Sequence, residues 1–171
     1  WKYQSSNIQK IICISNSVKL KMLGVADENK LTLIHSGIDV KKFSQKNKNT
    51  VNKLRQELNI PANKKIIGIV SALEKEKNIE EFIAIANILT AKRNDLEFVI
   101  IGDGSLYSQC SMLNSQIHFT GFRNDIPELL PCLNLFLFTS INEGLGISIL
   151  EAMAAEIPVV CHQFPAATEL I

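Results

Sequence analysis

The 171-residue chain predicts an α/β fold, a Rossmann-like parallel sheet with helices on both faces. Three patterns carry that expectation. Short unbroken apolar runs rich in Ile, Val, Leu and Phe recur at 65–71, 96–101 and 133–139, as strands buried on both faces require. Segments of helical periodicity lie between them, with apolar residues at 79, 82, 83, 86 and 89 in the longest. Strands that alternate with helices need crossover connections, and these make neighbouring strands parallel.

Taken in order, residues 8–15 are apolar and β-branched and predict a buried strand, followed by a turn or two of helix over 18–23. Residues 30–35 predict a second strand, and Ser36-Gly37-Ile38-Asp39 a turn. From 41 to 50 the composition shifts to Lys, Asn, Gln and Ser with one Phe, which predicts a solvated linker. A short helix is expected over 51–58, stopped before Pro61. Then come a strand (65–71), a helix (79–92), a strand (96–101) ending in Gly102-Asp103-Gly104, and a helix (106–113). Further on are a short strand (117–120), a short helix (125–130), a strand (133–139), a helix (145–155) and a last strand (158–161).

Composition narrows the function classes. Hydrophobic residues make up 46% and charged residues 20%, which excludes a disordered tail or a low-complexity array. Lys and Arg total 18 against 17 Asp and Glu, so the basic excess of a nucleic-acid-coating protein is missing. No apolar run approaches the ~20 residues that span a bilayer. Cys13, Cys110, Cys132 and Cys161 have no paired spacing and predict free thiols in a cytoplasmic protein. His35, His118 and His162 lack metal-ligand spacing, and no metal site is expected. The chain begins at Trp1 without a signal-peptide pattern and is expected to be a piece of a longer protein.

The stretch from Ser140 to Ile171 carries the most chemistry. Glu143 follows a strand in a loop with Gly144 and Gly146, and a helix begins there with Glu151 about two turns in. Ligands of open α/β sheets bind beyond the carboxyl ends of the strands, where this loop lies. Glycines allow close backbone approach, and the free amides near Gly144, Leu145, Gly146 and Ile147 suit a phosphate. A carboxylate at Glu151 suits the two hydroxyls of a ribose. The alternative for both glutamates is a pair of solvated acids at a helix start, where acids are favoured anyway. Lys77 follows a strand end on the same face, or is one charge in the solvated run Glu74-Lys75-Glu76-Lys77. Gly102-Asp103-Gly104 is either a tight strand-to-helix turn or a dinucleotide fingerprint whose third glycine position is Tyr107. Arg123 either passes near a nucleotide base or is a surface arginine.

The pattern E-G-x-G-x-x-x-x-E-A-M-A followed by x-P-V-V resembles the signature of the group 1 (family 4) retaining glycosyltransferases of the GT-B fold. Other pieces agree in order: the strand ending at Ser15, His35-Ser36-Gly37-Ile38-Asp39 with Phe43, Val70 to Lys77-Asn78, Ile101-Gly102-Asp103-Gly104, the segment 119–123 with Gly121, and Glu169-Leu170-Ile171. The resemblance implies that residues 1–44 are the end of an N-terminal domain with its linker. Residues 45–171 are then a nucleotide-sugar-binding domain, incomplete at its C-terminus. It implies that Glu143 contacts the donor sugar and that Gly144 to Ile147 line the sugar and diphosphate. Glu151 would bind the ribose, Lys77 would neutralise the diphosphate, and Arg123 and Glu169 would lie near the nucleotide. No cofactor or metal is expected, since no D-x-D motif occurs. The implied partners are a nucleotide-sugar donor, a glycan or lipid-linked acceptor and the missing N-terminal domain, in the cytoplasm or peripherally at the inner membrane face. Two departures stand out: Ala72 where the family has an arginine five residues before the lysine, and Ser36 where it often has Asn. Ala72 and the truncated ends leave a non-catalytic nucleotide-sugar-binding module as the rival reading, and Gly102-Asp103-Gly104 leaves an NAD-dependent enzyme as a third.

Overall fold

The computed structural model describes residues 2–44, 48–114 and 116–170. Among them, seven strands form two parallel sheets. The smaller pairs β1 (Ile11–Cys13) with β2 (Leu31–Leu33), joined through α1 (Asn16–Met22). The larger contains β3 (Lys65–Val70), β4 (Leu96–Ile101), β5 (Ile117–Phe119), β6 (Leu135–Phe138) and β7 (Val159–Cys161), in the order β5-β4-β3-β6-β7. The chain works outward from β3 in one direction and then crosses back to β6. This reversal is the topological switch point at which such sheets bind ligands.

Alternation along the strands builds two cores. Ile66, Val99, Ile101, Phe136 and Phe138 face one side, under α3 (Lys48–Glu57), α6 (Ile126–Leu129) and α7 (Ile147–Ala154). Ile67, Ile69, Phe98, Ile100 and Leu137 face the other, under α4 (Ile79–Thr90) and α5 (Tyr107–Leu113). Both faces are therefore buried, which is why these strands read as unbroken apolar runs. Phe82 of α4 meets Phe98 edge to face at 5.9 Å, and both are fully buried. Each such side chain contributes about 1.5–3 kcal/mol of burial.

Two expectations need correction. The first strand is three residues long, and Ile12 stands 61% exposed, because a two-stranded sheet flanked by one helix buries alternate residues only. The stretch expected to be a linker contains α2 (Val40–Phe43), capped by Asp39, with Phe43 buried in the same core as Phe136 and α2 packed on α7. A single aromatic in polar sequence is enough to dock a helical turn when an apolar face lies beneath it. Residues 45–47, at the expected division between 44 and 45, lie outside the described residues.

Candidate active site

The carboxyl ends of β3 and β6 frame a cavity of about 340 Å³. Val70, Ser71 and Ala72 line one wall, and Phe138 and the run 143–148 line the other. Lys77 and Ile14, the latter from the end of β1, also line the cavity.

Lys77 is placed by a splint. After β3 the chain passes Leu73, fully buried, and a 3-10 turn spanning Lys75–Lys77. Asn78 then takes a left-handed conformation (φ 50°) to start α4. Gly102-Asp103-Gly104 runs against this segment. The Leu73 amide donates to the Asp103 carbonyl at 3.0 Å, and the Leu106 amide donates to the Leu73 carbonyl at 2.9 Å. A Cβ on Gly102 would lie 1.9 Å from the Ser71 carbonyl oxygen, and one on Gly104 within 2.6 Å of Leu73 backbone. Those glycines are filled by protein, so the dinucleotide-fingerprint reading fails and the tight-turn reading stands. Glu74 is tied to the same loop, accepting from the Ser105 amide at 3.0 Å and its hydroxyl at 2.6 Å.

Lys77 Nζ donates to Glu143 Oε1 at 2.6 Å, across 66 residues of sequence. The glutamate side chain is 13% exposed and the lysine 26%. The Thr139 hydroxyl, at the end of β6, donates to the Lys77 carbonyl at 3.3 Å and joins the two strand ends. Ala72 lies on the cavity wall, and Lys77 is the one cation among the described residues lining it.

Glu143 leads into Gly144 and Gly146. Gly146 caps α7 at φ 86°, a conformation that strains any residue with a Cβ. Gly146 offers no side chain to cap α7. The Ile149 amide donates to the Gly146 carbonyl at 3.0 Å, while the amides of Ile147 and Ser148, which line the cavity, have no partner among the described residues and add a partial positive charge to that of Lys77. Glu151 sits on the second turn of α7, outside the cavity lining. Burial holds its carboxyl above the usual carboxylate range, and Lys42 of α2 pulls it back down in part. Glu151 accepts no hydrogen bond from any described residue. The buried Ser140 hydroxyl, beside Thr139, also has no partner among the described residues.

The other two expected residues are placed elsewhere. Arg123 forks onto Asp125 at 2.7 and 2.6 Å and reaches Glu57 at 2.7 Å, while Lys53 meets Asp125 and Glu128 at 2.5 Å each. Glu169 accepts from the amides of Asn16 and Ser17 and lies beside His35. Neither lines the cavity. Ile14, Ser71 and Phe138 line it without having been singled out in the sequence. The signal for each was its place at a strand's carboxyl end, which the switch-point rule makes informative.

With this geometry in place, the matches to known proteins are specific. Residues 50–171 match the sequence model of the glycosyl transferases group 1. The chain belongs to that family. Its fold is that of the C-terminal domain of GT-B glycosyltransferases. One similar protein is the UDP-Gal:alpha-D-GlcNAc-diphosphoundecaprenol alpha-1,3-galactosyltransferase of Escherichia coli, 31% identical over 88% of this chain and 42% of its own length. Another is the N,N'-diacetylbacillosaminyl-diphospho-undecaprenol alpha-1,3-N-acetylgalactosaminyltransferase of Campylobacter jejuni, 32% identical over 92% of this chain and 42% of its own. The crystal structure of Anabaena Alr3699/HepE in complex with UDP and glucose superposes with a TM-score of 0.84 at 25% identity, over 95% of this chain and 47% of that one. The group 1 chain described here thus spans less than half the length of these relatives.

Proposed function

We propose that the chain is the donor-binding half of a retaining, metal-independent hexosyltransferase of the family 4 type. It takes a nucleoside diphosphate sugar as donor. The whole protein passes the hexose to a glycan or lipid-linked acceptor in surface polysaccharide biosynthesis. The observation that carries this is the Lys77–Glu143 pair in a cavity at the switch point, beside an uncapped helix start. The names of the relatives support the donor and acceptor classes.

In this reading the donor's diphosphate takes over the ammonium of Lys77, and the freed Glu143 carboxylate turns to a hydroxyl of the sugar. As the anomeric carbon–oxygen bond breaks, negative charge grows on the diphosphate and the sugar becomes cationic. Lys77 and the open amides of α7 stabilise that charge, so no metal is needed there. The acceptor oxygen bonds to the anomeric carbon on the face the phosphate leaves, and its proton passes to the departing phosphate oxygen. Glu151 accepts from the ribose hydroxyls, which explains a half-buried carboxylate with no donor among the described residues. No described helix is long and apolar enough to cross a membrane. We place the protein in the cytoplasm, meeting lipid-linked acceptors at the inner membrane face.

Ala72 favours a second reading, a nucleotide-sugar-binding module without catalysis, because it leaves Lys77 as the one cation of the described cavity lining. Calorimetry against uridine and guanosine diphosphates and their sugars tests binding, with Lys77→Ala and Glu151→Ala as comparisons. Both variants should bind at least tenfold more weakly, and equal heats would remove these residues from the site. Sugar transfer by the whole protein, lost on Glu143→Ala, separates the enzyme from the binding module.

A further inference from the structure

Glu169 lies near the end of the chain, yet its carboxylate is occupied by groups from its beginning. Oε2 accepts the Asn16 amide at 2.8 Å and the Asn16 side-chain amide at 3.1 Å, both 153 residues away. Oε1 accepts the Ser17 amide at 3.2 Å, and His35 Nε2 stands 3.0 Å from Oε2. The side chain is 13% exposed, and these donors hold its carboxyl below the usual carboxylate range.

The consequence lies in what these bonds hold. A helix leaves its first amides without partners. In α1, Ser15 satisfies the Val18 amide through its hydroxyl at 3.1 Å and the Lys19 amide through its carbonyl at 3.0 Å. The two amides left, those of Asn16 and Ser17, go to Glu169. The residue before this cap is Ile14, which lines the cavity. Its terminal methyl is 3.0 Å from where a Cβ on Gly144 would stand, and a Val18 methyl is 3.8 Å from the same point. At the far end of α1, Lys21 donates to the Asn142 side chain at 2.8 Å. The helix is therefore tied at both ends over the loop that carries Glu143.

We propose that Glu169 is a positioning residue of the cavity: by capping α1 from the other end of the chain, it holds Ile14 against Gly144 and fixes the height of the roof over the glycine loop. It does so without touching the ligand. A ligand contact was the role the resemblance implied. The effect on ligand affinity rests on the cavity being the donor site; the clamp itself does not.

Glu169→Ala removes all four contacts. Glu169→Gln keeps one acceptor oxygen and partly restores them. Asn16→Pro removes both Asn16 donors while leaving the helix intact, because proline fits the first helical position and Ser15 is already extended at φ −153°, ψ 162°. Hydrogen exchange at the Ser17 amide should rise at least tenfold in Glu169→Ala, with β3 and β4 unchanged and Glu169→Gln intermediate. The nuclear Overhauser contact between the Ile14 methyl and Gly144 should weaken in Glu169→Ala and in Asn16→Pro. Uridine diphosphate affinity should fall about five- to tenfold in the same two variants. Unchanged Ser17 exchange, an unchanged Ile14–Gly144 contact, or exchange that rises uniformly across the fold would overturn the clamp. If the unsubstituted chain binds no nucleoside diphosphate, the donor-site reading fails, and the exchange and Overhauser arms still decide the clamp.

Discussion

Two groups of ion pairs sit on opposite terms with the same sheet. At the carboxyl ends of β3 and β6, one lysine faces one glutamate beside an open cavity. On the flank of α3, two cations share three carboxylates, with Asp125 held by both Arg123 and Lys53. The first pair has room for a third charged body, and each member has one strong protein partner to give up. In the second group the key carboxylate is already saturated, and a ligand would have to break two contacts to gain one. Similar bond lengths therefore serve different ends. Partner number and the space alongside separate an exchangeable pair from a structural brace.

The largest effect should come from breaking the exchangeable pair. Lys77→Ala should lower sugar transfer by the whole protein by about 10²–10³-fold, the range for losing a transition-state charge partner. The melting temperature should barely move, since a partly exposed pair holds the fold by at most about 1 kcal/mol. A large loss of stability with unchanged transfer kinetics would reverse the roles assigned to the two regions.

Asp125→Ala is the converse substitution. It should cost about 1–2 kcal/mol, within the range for a networked but partly exposed carboxylate, and lower the melting temperature by roughly 2–8 °C. Uridine diphosphate affinity should stay within twofold. The pH dependence sharpens the contrast. Hydrogen bonds from Arg123, then Lys53, hold the Asp125 carboxyl well below its ordinary value. A depressed acid stabilises the fold fully above its unfolded pKa of about 4 and loses that contribution as pH falls toward the folded value. Thermal melts between pH 7 and pH 2 should show this acid limb flattened in Asp125→Asn.

Arg123→Lys should have a smaller effect in the same direction, about 0.5–1 kcal/mol. A lysine keeps the charge and loses the fork that meets Asp125 twice while reaching Glu57. A fall in nucleotide affinity larger than the fall in stability would move Arg123 from the brace to the site.

The two regions also differ in how far the sequence reveals them. Strands such as β3 and β4 were legible because burial on both faces leaves only apolar residues, and α4 because its stripe has helical spacing. The motif around Glu143 and Glu151 was legible because glycine, acid and helix start occur within nine residues. The long-range partner of Arg123 was not, since Glu57 lies 66 residues away, although Asp125 stands only two residues on. The same holds for Glu169, whose partners are 134 to 153 residues upstream. The α2 turn was hidden because Phe43 is its only strongly apolar anchor in the core, and that core is assembled from distant strands. Local pattern exposes local chemistry; a charge whose partner arrives through the fold reads as a surface charge.

Glu151 gives the smallest effect and the one of opposite sign. Burial raises its carboxyl above the ordinary value, and no described residue donates to it. An acid whose pKa is raised on folding destabilises the native state once pH exceeds the unfolded value of about 4, because the buried group must ionise against desolvation while the unfolded one does so freely. Glu151→Gln removes that penalty with the shape kept. At pH 7 the melting temperature should rise by a few degrees at most, and the gain should vanish on titration below about pH 4. Nucleotide affinity should fall, since an amide accepts the two ribose hydroxyls less well than a carboxylate. Stability gained and affinity lost in one substitution is the behaviour of a group kept for binding rather than folding. A substitution that lowers stability at pH 7 would instead make the attraction between Glu151 of α7 and Lys42 of α2 a contributor to the fold, and the contrast between exchangeable and saturated charges would have to be redrawn around it.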